Sequence, residues 1–154
     1  RFIYWETAFR VFLDYPIFGV GLGNYTFHFL DNLPQAHIGY MPEILTRIVP
    51  GNIRVITPKN YFARLLAEVG LFGTAAYISF LFMLLVGGLR LWLVDKKEVK
   101  FWGIGALLGL SAFLVDTFSF DSFAIPNHWV VFGLITAAMH VYLVNNKQRE
   151  KTSE

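Results

Sequence analysis

The residues best suited to chemistry in this chain are its cations. Arg1, Arg10, Arg47, Arg54 and Lys59 precede a long apolar run, and Arg64 stands at its entrance. An arginine fork reaches two oxygens of a phosphate or carboxylate at once, and a lysine adds a compact point charge. Such a set suits an anionic ligand. The stretch carrying the last of these cations reads Thr57-Pro-Lys-Asn-Tyr-Phe-Ala-Arg-Leu-Leu-Ala-Glu-Val-Gly-Leu-Phe-Gly73. It is a polar loop end entering a helix that holds one acid, Glu68, and two glycines, Gly70 and Gly73. Arg64 and Glu68 are spaced i,i+4, the spacing of a structural ion pair on one helix face. An acid inside a membrane is also a functional candidate by default.

The elements that must position these groups are membrane helices. Residues 69–89 carry no charge, and about 20 apolar residues suffice to cross a bilayer as helix. Apolar residues make up 55% of the chain and charged ones 16%, against about a quarter charged in ordinary soluble domains. Three spans are predicted, at 61–94, 101–120 and 125–144. The turn 95–100 and the tail 145–154 are rich in lysine and arginine, so both are expected in the cytoplasm. Residues 1–60 and the turn 121–127 then lie outside. Cations on that side run against the usual bias, which favours an anion site; long external segments also translocate largely regardless of charge. There is no Cys, so disulfide and thiolate chemistry are excluded. The chain opens on Arg1 without a signal segment and reads as the C-terminal piece of a longer polytopic protein.

Residues 1–14 have helical periodicity. Phe2, Trp5, Phe9, Phe12 and Leu13 share one face, and Glu6, Thr7, Arg10 and Asp14 the other, with i,i+4 pairs Glu6–Arg10 and Arg10–Asp14. Such a helix can lie in the membrane interface, aromatic side down. It should stop before Pro16, because the residue preceding a proline avoids helical angles. The alternating glycines of Phe18-Gly-Val-Gly-Leu-Gly23 lack the strand and the Lys-Ser/Thr of a phosphate loop; a tight turn with close backbone approach is the better reading. Residues 31–58, with four prolines, read as a long external loop with a short helix at 43–48. Asp116 is expected to cap or pair near the outer surface, His128 to sit at the interface beside Trp129, and His140 to pack within the last span. Gly70, Gly73, Gly87, Gly88, Gly103, Gly105 and Gly109 are expected to allow close helix packing.

The order Arg1-x-x-x-Trp5-x-x-Ala8, Asp14-Tyr-Pro-Ile-Phe-Gly-Val-Gly-Leu-Gly23, an external loop, Asn60-Tyr61, Ala67-Glu-Val-Gly70-x-x-Gly73 and a late Asn127-His-Trp129 resembles the O-antigen ligase and O-antigen polymerase family of bacterial membrane glycosyltransferases. The resemblance covers nearly the whole chain. It implies an all-α, C-type glycosyltransferase in the cytoplasmic membrane: three transmembrane helices preceded by an amphipathic helix and a long external loop. Its partners would be an undecaprenyl diphosphate-linked glycan as donor, lipid A core or another glycan as acceptor, and membrane lipids. No metal, cofactor or nucleic acid is implied. Many members place a histidine, regarded as catalytic, where this chain has Lys59. A lysine can neutralise a diphosphate leaving group, but serves as a base only if its pKa is strongly lowered.

Glycosyl transfer from a lipid diphosphate needs cations aimed at the leaving group and a base within reach of the acceptor hydroxyl. Lys59, Arg1 and Arg54 are the candidates for the charge. Arg47, Asn60, His37 and Glu43 are the candidates for holding substrate; His37, Glu43 and His28 are the available bases. Arg64, Glu68, Gly70 and Gly73 are expected to be structural. Two rival readings stand beside the ligase: a polymerase of O-antigen or exopolysaccharide, and a non-catalytic transporter subunit handling an anionic substrate. The last should show broken helices or facing polar residues near the bilayer midplane.

Overall fold

The structure, a computed structural model, describes residues 2–34, 56–123 and 125–152. Among them every regular element is a helix: α1 (Phe2–Asp14), α2 (Tyr25–Phe29), α3 (Tyr61–Trp92), α4 (Lys97–Asp116) and α5 (Pro126–Thr152). The chain forms two compact units, residues 1–76 with 117–123 and residues 77–116 with 124–154. Expected residues Arg1, His37, Glu43, Arg47 and Arg54, and the short helix at 43–48, lie outside the described residues.

In the first unit α1 ends at Asp14, ahead of Pro16 as its sequence requires. Glu6 and Arg10 form the expected pair at 2.9 Å on its exposed side. The face packed against the rest of the unit is a third one, between the aromatic side expected in the membrane interface and the charged side. Ile3, Tyr4, Thr7, Ala8 and Val11 are buried, whereas Phe2 is 80% and Phe9 54% exposed. The buried stripe includes small residues that let α2 come close. Thr7, expected on the polar face, joins it because its hydroxyl donates to Ile3 O at 2.8 Å and so leaves no unmet hydroxyl donor. Helix α2, unforeseen in the sequence, buries Tyr25 and Phe29, and Phe29 stacks on Tyr4 with centroids 5.6 Å apart.

Helix α3 is not continuous. Gly70 has φ 64° and ψ −166°, a non-helical break inside the element. The turn that follows α1 is seated in this break. Val20 and Gly21 N–H donate to Ala67 O and Glu68 O at 3.0 and 2.8 Å. Leu71 and Phe72 N–H donate to Pro16 O and Ile17 O at 2.8 and 3.2 Å. A broken helix leaves carbonyls orphaned on one side and amides on the other; here another strand of backbone meets groups of both kinds. Gly70 therefore serves a helix break rather than helix–helix packing. Gly73 lies in the continuing helix, where an added Cβ would stand 2.6 Å from Val69 Cβ of the preceding turn.

The second unit holds the rest of α3 with α4 and α5. Glycines do allow close packing here. Gly103 rests on the backbone of Leu91 and Trp92, Gly87 lies under the Met139 side chain, and a Cβ on Gly109 would stand 2.8 Å from Val131 Cγ1. Gly105 faces open space instead, since among the described residues no other element meets that side of α4. Phe113 and Phe132 pack edge to face at 5.1 Å, and His128 meets Phe113 at 4.9 Å and Asp116 at 3.6 Å. His140, expected to pack, is exposed.

Helix bounds also shift from expectation. α4 begins at Lys97 and ends at Asp116 rather than covering 101–120. α5 starts on Pro126, a residue whose fixed φ and missing N–H suit a first helical position, and runs past 144 to Thr152, so the described part of the expected tail is helix. Helices α3 and α4 are long and apolar enough to cross a membrane, and neither is mostly buried.

Candidate functional site

The N-terminal mouth of α3 is where the cationic motif meets other elements. Pro58 is fully buried and fixes the approach of the chain. Lys59 then adopts φ 54°, the only positive φ on a non-glycine among the described residues. A side chain in that region costs roughly 1–2 kcal/mol, so something must hold it. Its N–H donates to Asp121 Oδ2 at 2.7 Å, and its Nζ lies 4.7 Å from the centroid of the Tyr4 ring, a cation–π placement.

Asn60 has a structural duty. Its Oδ1 accepts the Ala63 N–H at 2.9 Å, capping α3 in the manner that favours Asn before a first turn. Expected among the substrate-binding residues, it has that oxygen committed to the helix. The segment 117–123 is strapped across the same turns. Tyr61 N–H donates to Thr117 O at 3.0 Å, and the Tyr61 and Phe123 rings lie 4.6 Å apart.

Arg64 ties the strap to the acid. Its Nη1 donates to Asp121 O at 2.8 Å, its Nε to Glu68 Oε1 at 3.0 Å, and its guanidinium lies 5.6 Å from the centroid of the Phe123 ring. The i,i+4 pair expected from the sequence is thus present, with the Glu68 side chain only 1% exposed. Glu68 Oε2 and the Tyr4 hydroxyl are buried with no hydrogen-bond partner among the described residues. Tyr25 donates to Tyr4 O at 3.0 Å; burial foremost, then the charges of Tyr4, Asp121 and Glu68, push its pKa well above that of an ordinary tyrosine. Lys59, Arg64, Glu68 and Asp121 together are formally neutral, so the cationic motif meets its own acids at this mouth.

The fold therefore joins Lys59, Asn60, Arg64 and Glu68, and adds Asp121, Tyr4 and Tyr25. Asp121 was legible in part, since the turn it opens was placed on the same side as Lys59. Tyr4 and Tyr25 gave no local signal: they join by contacts between residues far apart in sequence. Arg10 is engaged by Glu6, and His28 packs edge-on against Tyr15 at 5.2 Å. No cluster of three or more His, Asp or Glu suited to a metal exists among the described residues. Chemically the site presents one ammonium beside an aromatic ring and a carboxylate clamped through one oxygen, at the entrance of an apolar helix.

No protein family, curated protein or solved structure matches this chain.

Proposed function

We propose that this protein is a membrane glycosyltransferase of the O-antigen ligase type. It moves a glycan from undecaprenyl diphosphate to lipid A core, or to another glycan acceptor, on the outer face of the bacterial cytoplasmic membrane. The observation that carries this reading is Lys59: a cation held at a left-handed backbone angle, at the mouth of an apolar helix, by a carboxylate from another segment. Strained residues of this kind cluster at functional sites. Lys59 would stabilise the charge that develops on the leaving diphosphate, the role the sequence also suggests for Arg1 and Arg54. Removing one aimed donor of this type costs about 100- to 1000-fold in rate. The experiment is transfer from an undecaprenyl diphosphate-linked glycan by the full-length enzyme. Lys59→Ala should lose most of the rate and Lys59→Arg keep part of it. Wild-type rates from Lys59→Ala would remove Lys59 from the chemistry; a dead Lys59→Arg with an active Lys59→His would make it a base.

In this reading α5 is a third span beside α3 and α4, and the exposed aromatic face of α1 rests in the outer interface. Residues 1–60 and 121–127 are outside; residues 95–100 and the C-terminal end are inside. Because the chain lacks cysteine, single engineered cysteines report topology cleanly. Lys97→Cys should resist an impermeant thiol reagent applied to intact cells, and its labelling from outside would overturn the arrangement.

The break at Gly70 speaks for the transporter reading, since discontinuous helices build many transporter sites. Such sites work by offering bare helix ends to the substrate. Here the carbonyls of Ala67 and Glu68 and the amides of Leu71 and Phe72 are already bonded to the 16–21 turn, which favours surface chemistry at Lys59.

A further inference from the structure

The second unit contains a groove that the glycan-transfer proposal does not use; its occupant rests on the proposed membrane placement of α3 and α5, not on the transfer activity. Its volume is about 340 Å³, and it is lined by Phe82, Met83, Val86, Gly87 and Arg90 of α3 and by Met139 of α5. Residues 83, 86, 87 and 90 follow the i, i+3, i+4, i+7 spacing of one helix face. Gly87, having no side chain, leaves the space that the Met139 side chain occupies. The Met139 thioether lies directly over it, and methionine is the side chain most able to shift and refill such a gap. Among the described residues the lining is apolar except for Arg90, which stands in the last turn of α3.

Arg90 is exposed. Two residues on, Trp92 is also exposed, and exposed tryptophan marks headgroup depth in membrane proteins. Lys96 and Lys97 follow in the next turn. With α3 and α5 as spans, as proposed above, the cleft opens to lipid, apolar along its length and basic at its headgroup end, and is complementary to one kind of molecule. We infer that the groove between α3 and α5 binds an anionic phospholipid, with an acyl chain along Met83, Val86 and Met139 and the headgroup phosphate at Arg90. Basic pockets between membrane helices are known to hold anionic headgroups. A zwitterionic lipid brings its own cation to the same place and gains less from Arg90.

The test is lipid retention by the delipidated full-length protein, titrated with phosphatidylglycerol or phosphatidylcholine of identical chains and read by native mass spectrometry. Phosphatidylglycerol should be retained at one molecule per chain and phosphatidylcholine should not. Arg90→Gln, a surface change, should weaken retention about fivefold, the effect of one basic residue at an anionic surface; Arg90→Lys should keep most of it. Lys100→Gln removes the same charge away from the groove and should behave as wild type. Val86→Trp, which fills the groove and keeps Arg90, should also lose the lipid. Inorganic phosphate has no acyl chain and should not displace it. Equal retention of the two lipids, wild-type retention by Arg90→Gln or Val86→Trp, loss in Lys100→Gln matching that in Arg90→Gln, or displacement by phosphate would each overturn the assignment.

Discussion

Gly19 and Gly70 cross backbone against backbone. A Cβ on Gly19 would stand 2.5 Å from Glu68 C and O, and one on Gly70 would stand 2.5 Å from Ile17 O and 2.6 Å from Gly19 N. Both residues have positive φ, 67° and 64°. Each glycine is thus required twice, for its backbone angle and for the space it leaves, and the seat of the 16–21 turn in the helix break depends on both.

Gly19→Ala and Gly70→Ala should therefore each lower stability by more than the about 1–3 kcal/mol of ordinary overpacking, because neither backbone can move aside freely. Two controls separate the causes. Gly23 has φ 81° with nothing within 4 Å of an added Cβ, so Gly23→Ala should show only the backbone penalty. Gly105 is helical and faces open space, so Gly105→Ala should be neutral or stabilising by up to about 1 kcal/mol. Thermal unfolding of the detergent-solubilised protein checks the order; a Gly70→Ala variant as stable as Gly105→Ala would refute the account of the break.

The Arg64–Glu68 pair gives a second prediction. Removing one partner of a buried pair leaves the other charge uncompensated, at a cost of about 3–5 kcal/mol. Arg64→Ala should be strongly destabilising, and Arg64→Ala with Glu68→Gln should recover part of the loss. Glu68→Gln alone should lower folded yield and activity together. If it removed transfer while thermal stability stayed at the wild-type level, Glu68 would belong to the chemistry rather than to the clamp.

Lys59 gives a third. Lys59→Gly and Lys59→Ala remove the same charge and the same contact with Tyr4, but only glycine accepts φ 54° without penalty. The glycine variant should be the more stable of the two by about 1 kcal/mol, while both lose transfer activity. Melting temperatures and transfer rates measured on the same preparations check this; equal stabilities would show that the left-handed angle at Lys59 stores no strain.

The sequence by itself determined the helical class, the apolar runs that become α3 and α4, the end of α1 before Pro16 and the i,i+4 pair of Arg64 and Glu68. These are local properties: periodicity, run length, proline geometry and spacing on one helix are written in neighbouring residues. Only the tertiary structure decided which face of α1 is buried, that α3 breaks at Gly70 to receive the 16–21 turn, that Asn60 is a cap, and that Asp121 and Tyr4 stand at Lys59. Each of these depends on a partner from elsewhere in the chain or on a choice between two readings of one residue. Periodicity separates the aromatic side of α1 from its charged side, but that Tyr4, Thr7 and Ala8 between them are buried follows only from the arrival of Tyr25 and Phe29. A glycine in an apolar helix reads as packing until a second backbone supplies the hydrogen bonds that make a break affordable.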